Sequence, residues 1–96
     1  MEEAHIRKHL VFSGAVQGVG LRWRARLAAQ ALGVTGWVCN EPDGSVSMEL
    51  QGSEAQLDQV LESLEASRYI QIDRVESRRI PLQPGERDFV TLDDRW

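Results

Sequence analysis

The chain has 96 residues, 42% of them hydrophobic, with one cysteine and a formal net charge of −4. That length sets a single domain over residues 1–96 with one core, and the acidic balance excludes the global basic field of a nucleic-acid or anionic-membrane binder. Cys39 has no partner for an internal disulfide, and the opening Met1-Glu2-Glu3-Ala4-His5-Ile6-Arg7 lacks the apolar stretch of a signal peptide, so the expected setting is cytoplasmic, with no membrane span.

In chain order, Leu10, Val11 and Phe12 with interleaved polar residues predict a first strand from about His5 to Ser13,. It runs into Gly14-Ala15-Val16-Gln17-Gly18-Val19-Gly20-Leu21-Arg22, with three glycines within seven positions. A helix follows from Leu21, where Ala25, Ala28, Ala29 and Leu32 recur at spacings of three and four before Gly33 stops it,. Val34 to Glu41, the turn Pro42-Asp43-Gly44 and the alternating Val46, Met48 and Leu50 predict a hairpin,. Ser53 and Gln56 form a capping box for a second helix, whose apolar face is Leu57, Val60, Leu61 and Leu64,. Beyond Arg68 the parity changes between Ile72 and Val75, which predicts a turn or bulge near Asp73 ahead of a strand toward Ile80,. Pro81 to Glu86 has loop composition, and Phe89 to Leu92 reads as a short final strand,.

Strand, helix, two strands, helix, strand is the split βαβ order: an α+β, ferredoxin-like sandwich with two helices on one face of an antiparallel sheet and a short final strand. The opposite face is expected to be partly open. Fold alone assigns no function.

The glycine loop carries the chemistry. Glycines let successive backbone N–H groups converge on one point, a helix start adds further unpaired N–H groups and a positive dipole end, and Arg22 is suited to clamp phosphate oxygens. A P-loop would need Lys and then Ser or Thr after its last glycine, and a dinucleotide fingerprint would need a small residue where Trp23 stands,. The expected ligand is a phosphoryl group and not a nucleotide. Cys39, His5 and His9 do not make a metal site, since structural zinc takes about four placed ligands and catalytic zinc about three. No metal and no cofactor are expected.

Gly14 to Arg22, then Gly36-Trp37-Val38-Cys39-Asn40 before the turn at Asp43-Gly44, closely resembles the acylphosphatase family. That family's signatures are Gly-x-Val-Gln-Gly-Val-Gly-Phe-Arg and Gly-Trp-Val-x-Asn. The resemblance implies a phosphate-binding loop at Ala15, Val16, Gln17, Gly18, Val19, Gly20 and Leu21, a phosphate-binding catalytic arginine at Arg22 and a water-positioning catalytic asparagine at Asn40. Leu21 replaces the usual phenylalanine, which alters packing under the loop. Cys39 stands where Lys or Arg is common, removing a charge beside the site. The ending Leu92-Asp93-Asp94-Arg95-Trp96 is longer and more acidic than the family's usual one.

The implied activity is metal-independent hydrolysis of the carboxyl-phosphate bond of a small acyl phosphate, with inorganic phosphate as product and competitive inhibitor, by a monomer. A carboxylate leaves readily, so an in-line water and a site for the phosphoryl oxygens suffice. Gln17 is expected to brace the loop, Trp23 and Trp37 to pack, with the edge of the pocket as the other place for either, and Arg24 and Arg26 to be solvated or ion-paired. The rival is a non-catalytic anion or carbamoyl-phosphate binding module, as in domains of larger maturation proteins; the free-standing length and Asn40 weigh against it. An RNA-binding role is weakly supported, since the net charge is acidic and the first and third strands lack the paired aromatics that stack bases.

Overall fold

Phe12, Val46 and Asn40 lie in one row across three strands of the sheet, and this row positions everything that follows. The computed structural model describes residues 4–93. Its elements are β1 (His5–Ala15), α1 (Leu21–Leu32), β2 (Thr35–Asn40), β3 (Val46–Ser53), α2 (Glu54–Glu65), β4 (Gln71–Ile80) and β5 (Phe89–Thr91). They form one five-stranded sheet in the order β4-β1-β3-β2-β5.

β3 is the central strand because its apolar parity is unbroken: Val46, Met48 and Leu50 are fully buried between both neighbours and the helices,. β1 and β2 both pair antiparallel to it, so their C-terminal ends emerge at the same end of the sheet. The helices cover one face, as the split βαβ order predicts. α1 buries Leu21, Ala25 and Ala29, and α2 buries Leu57, Val60 and Leu64. Small alanines let α1 lie close to the sheet, and the Arg24 side chain ties it to α2 by donating to the Ser63 carbonyl at 2.6 Å. Arg24 is thus a structural donor and not a solvated charge. α2 starts on the reciprocal Ser53–Gln56 capping box,.

β4, β1, β3 and β2 each run antiparallel to their neighbours, whereas the short final strand β5 joins β2 in parallel, making the sheet mixed. The expected irregularity near Asp73 is a bulge. Ser13 pairs with Arg74 and Gly14 with Ile72, leaving Asp73 as the extra residue,. Gly14 is required opposite it, because a Cβ there would come within 2.4 Å of the Gln71 carbonyl oxygen at φ +125°.

The helix-free face is not bare. Arg7, only 4% exposed, spans β1, β3 and the β4–β5 connection, donating to Glu49 at 3.0 Å and to both carboxylate oxygens of Glu86 at 2.8 and 3.2 Å. Burial works against its charge, but the two carboxylates prevail and raise its pKa,. His9 Nδ1 lies 2.7 Å from the second oxygen of Glu49, and its ring meets Trp37 edge-on at 6.0 Å. Burial would raise the Glu49 pKa; the hydrogen bonds from His9 and Arg7 outweigh it and hold the carboxyl below its ordinary value. Among the described residues no helix is long and apolar enough to cross a membrane. Of the acidic ending at residues 92–96, Leu92 N–H donates to the Val38 carbonyl at 2.9 Å and the Asp93 carbonyl accepts from Cys39, while Asp94, Arg95 and Trp96 lie outside the described residues.

Candidate active site

At the end of the sheet where β1 and β2 finish, a small cavity of about 160 Å³ is lined by Val16, Gly18, Gly20, Leu21, Arg22, Trp23 and Asn40. Each arrives for a local reason. The loop leaves β1 after Ala15, which is still paired with Gln71, and turns through two left-handed glycines, Gly18 at φ +72° and Gly20 at φ +82°. Gly20 is the N-cap of α1, and neither a capping side chain nor an acidic residue satisfies the first turn. The opening N–H groups of α1 therefore give this end of the helix its anion-attracting character. Val16 and Leu21, each 1% exposed, anchor the loop in the core on either side.

Arg22 follows directly in α1, half-buried, and borders the cavity. Asn40 ends β2 on the helix-covered side of the sheet, 6% exposed, and its Oδ1 is buried without a hydrogen-bond partner among the described residues. A buried amide oxygen left in that state costs about 1–3 kcal/mol, a cost commonly found where a group is held for function.

The remaining expected loop residues divide. Gln17 does not face the cavity; its side-chain nitrogen donates to the carbonyls of Glu41 and Ser45, both at 2.8 Å, and pins the loop to the β2–β3 hairpin. That hairpin is itself closed by Asp43, whose Oδ1 accepts from Ser45 Oγ at 2.6 Å and Ser45 N at 2.9 Å. The Ser45 hydroxyl, then its N–H, lower the Asp43 pKa. Val19 packs partly buried against the core, and Ala15 remains a strand residue. Cys39 is fully buried on the other side of β2, donating to the Asp93 carbonyl at 3.2 Å. Of the two places open to Trp23, packing or the edge of the pocket, it takes the second, standing 67% exposed on the cavity wall. Helical spacing had the information: Trp23 is two positions from both Leu21 and Ala25, about 200° round the helix from that buried stripe. Among the described residues no three His, Cys, Asp or Glu gather as a metal-ligand group.

The family model described as acylphosphatase matches residues 8–91. This chain belongs to the acylphosphatase family. Among its acylphosphatase relatives, one from Pediococcus pentosaceus is 42% identical over 84 residues, covering 85% of this chain and 92% of the relative. The crystal structure of acylphosphatase from Bacillus subtilis superposes with a TM-score of 0.82 at 25% identity, covering 91% of this chain and 98% of that one. The same fold occurs as part of a longer protein. The T. kodakarensis HypF structure matches 93% of this chain with 12% of its own length, at TM-score 0.78 and 27% identity. The acylphosphatase fold is thus the α+β, ferredoxin-like arrangement read from the element order.

Proposed function

We propose that this chain is an acylphosphatase: it hydrolyses the carboxyl-phosphate bond of acyl phosphates, with Arg22 and Asn40 as its catalytic side chains. Membership of the acylphosphatase family and relatives bearing that name support the reaction class. The observation that carries the residue roles is the buried, unpartnered Asn40 Oδ1 in a cavity bordered by Arg22 and by the uncapped start of α1. In this reading the loop N–H groups between Val16 and Leu21 and the Arg22 guanidinium hold the phosphoryl oxygens, while Ala15 stays in β1. Asn40 orients a water in line with the bond to be broken.

The step balances without a protein base. Water oxygen attacks phosphorus, the bond from phosphorus to the acyl oxygen breaks, and that oxygen leaves as carboxylate with the bonding pair. One water proton passes to a phosphoryl oxygen, so R–CO–OPO₃²⁻ and water give R–COO⁻ and H₂PO₄⁻. An amide has no useful basicity, and the substrate's own oxygen is the acceptor in reach. Preorganised donors contribute the charge stabilisation, which at comparable sites is worth about 10²–10³-fold per donor.

No metal enters the proposed step, and inorganic phosphate competes with substrate for the loop. We further propose a cytoplasmic monomer comprising one domain over residues 1–96. A pure anion-binding module is not favoured: it would use the arginine but has no need of a buried, unsatisfied amide. Continuous assay of benzoyl phosphate with purified protein tests the reading, which predicts metal-free hydrolysis inhibited competitively by phosphate. No hydrolysis by a folded protein that still binds phosphate would reject it in favour of the binding module.

A further inference from the structure

Trp23 is the largest apolar side chain at the active-site cavity, and it is 67% exposed, although tryptophan is among the residues most buried on average,. No core contact accounts for it, since the buried residues of α1 are Leu21, Ala25 and Ala29 on the opposite side of the helix. The cavity it borders, about 160 Å³, lies well below the ~300–1,000 Å³ of pockets that enclose a drug-sized ligand. A phosphoryl group fits such a space; an acyl group larger than acetyl must extend beyond it. The direction of that extension follows from the proposed reaction. Asn40 is buried, so water attacks from the inner side, and in-line displacement sends the leaving carboxylate the opposite way,. The indole lines this same cavity and is exposed to solvent, within reach of an acyl group that extends outward.

We infer that Trp23 is the platform for the acyl group and makes this enzyme favour aroyl phosphates, whose flat ring stacks on the indole, over short aliphatic ones. The inference rests on the hydrolase reading above and adds a specificity-determining residue to it. Trp23 contacts the part of the substrate that does not change bonding to phosphorus, so its contribution is to binding and is nearly equal in ground and transition states. Its loss therefore raises KM and leaves kcat nearly constant.

The test compares parent, Trp23→Ala and Trp23→Phe on benzoyl phosphate and acetyl phosphate, with the inhibition constant of inorganic phosphate measured for each protein. Aromatic stacking of ordinary strength corresponds to about three- to tenfold. In Trp23→Ala the ratio of kcat/KM for benzoyl over acetyl phosphate falls by that factor, carried by KM, while phosphate inhibition moves less than about twofold. Trp23→Phe restores most of the ratio. An unchanged ratio, whether both substrates suffer or neither does, overturns the platform, as does a change confined to kcat. A parent inactive on both acyl phosphates while still binding phosphate overturns the hydrolase reading itself, and the platform with it.

Discussion

The Gln17 side chain donates to the Ser45 carbonyl at 2.8 Å, and the second hydrogen of the same nitrogen goes to the Glu41 carbonyl at the same distance. One amide thus fixes the loop that leads to Arg22 against the hairpin that carries Asn40. The two halves of the site arrive from separate strands, and this latch sets their separation.

Gln17→Ala is expected to remove one of the two donors to each of two partly buried carbonyls, Glu41 keeping Gly44 N–H and Ser45 keeping Glu41 N–H, and the two lost hydrogen bonds should lower stability by about 1–3 kcal/mol. Its kcat/KM should drop roughly tenfold because the loop and Asn40 are no longer held in register. Gln17→Glu should be worse on both counts, since it points a carboxylate oxygen at two acceptor carbonyls. Chemical denaturation beside benzoyl phosphate kinetics checks this. A Glu variant as good as the Ala variant would mean the latch is not what positions the hairpin.

Arg22→Ala should reduce turnover by at least about 10²-fold and weaken phosphate binding as well, whereas Arg26→Ala, exposed farther along α1, should change kcat/KM by less than about threefold,. Steady-state kinetics with phosphate inhibition separates the two arginines. Equal, modest losses would describe a diffuse basic helix in place of a clamp.

Activity should persist in excess EDTA and gain nothing from added Mg²⁺ or Zn²⁺. Dialysed protein assayed with and without each ion decides it, and activity lost to chelation and regained with metal contradicts the proposed step.

The acid side of the stability profile should depend on Glu49. Its folded pKa is held below the ordinary value of 4.5, so its contribution is fully present above that pH and disappears as pH falls through the lowered folded value. Glu49→Gln should therefore cost roughly 1–2 kcal/mol at neutral pH. The gap to the parent should close progressively below about pH 4.5. Denaturant titrations at a series of pH values measure it; a gap that stays constant into acid removes the ionised carboxylate from the account.

How much of this was legible in the sequence depends on the range over which each interaction acts. Periodicity, caps and turn residues are local, and they located both helices, the hairpin and the irregularity at Asp73. Arg22 and Asn40 were reached through two signatures resembling the acylphosphatases, and the loop and β2 then proved to end at one cavity. Gln17's acceptors are main-chain carbonyls 24 and 28 residues away, which no side-chain pattern records. Arg7 finds Glu86 at a separation of 79 residues, so its burial could not be read from β1 alone. The parallel entry of β5 was likewise hidden, because alternation marks a face and carries no strand direction,. Trp23 differs from these, since its position off the buried stripe was written in the helical spacing.

The measurement that goes to the centre of the account is Asn40→Ala, with phosphate affinity by calorimetry set beside the hydrolysis rate of the same protein. Asn40→Ala relieves the cost of a buried amide oxygen without a partner but opens a gap where the 6% exposed side chain packed, and with these opposed stability should stay within about 1 kcal/mol of the parent. Turnover of benzoyl phosphate should fall at least about 10²-fold while phosphate binds within a few-fold of the parent, the signature of a group that acts on the attacking water in the transition state. Unchanged turnover in the folded variant, or a collapse of phosphate binding in step with turnover, would contradict the role assigned to Asn40.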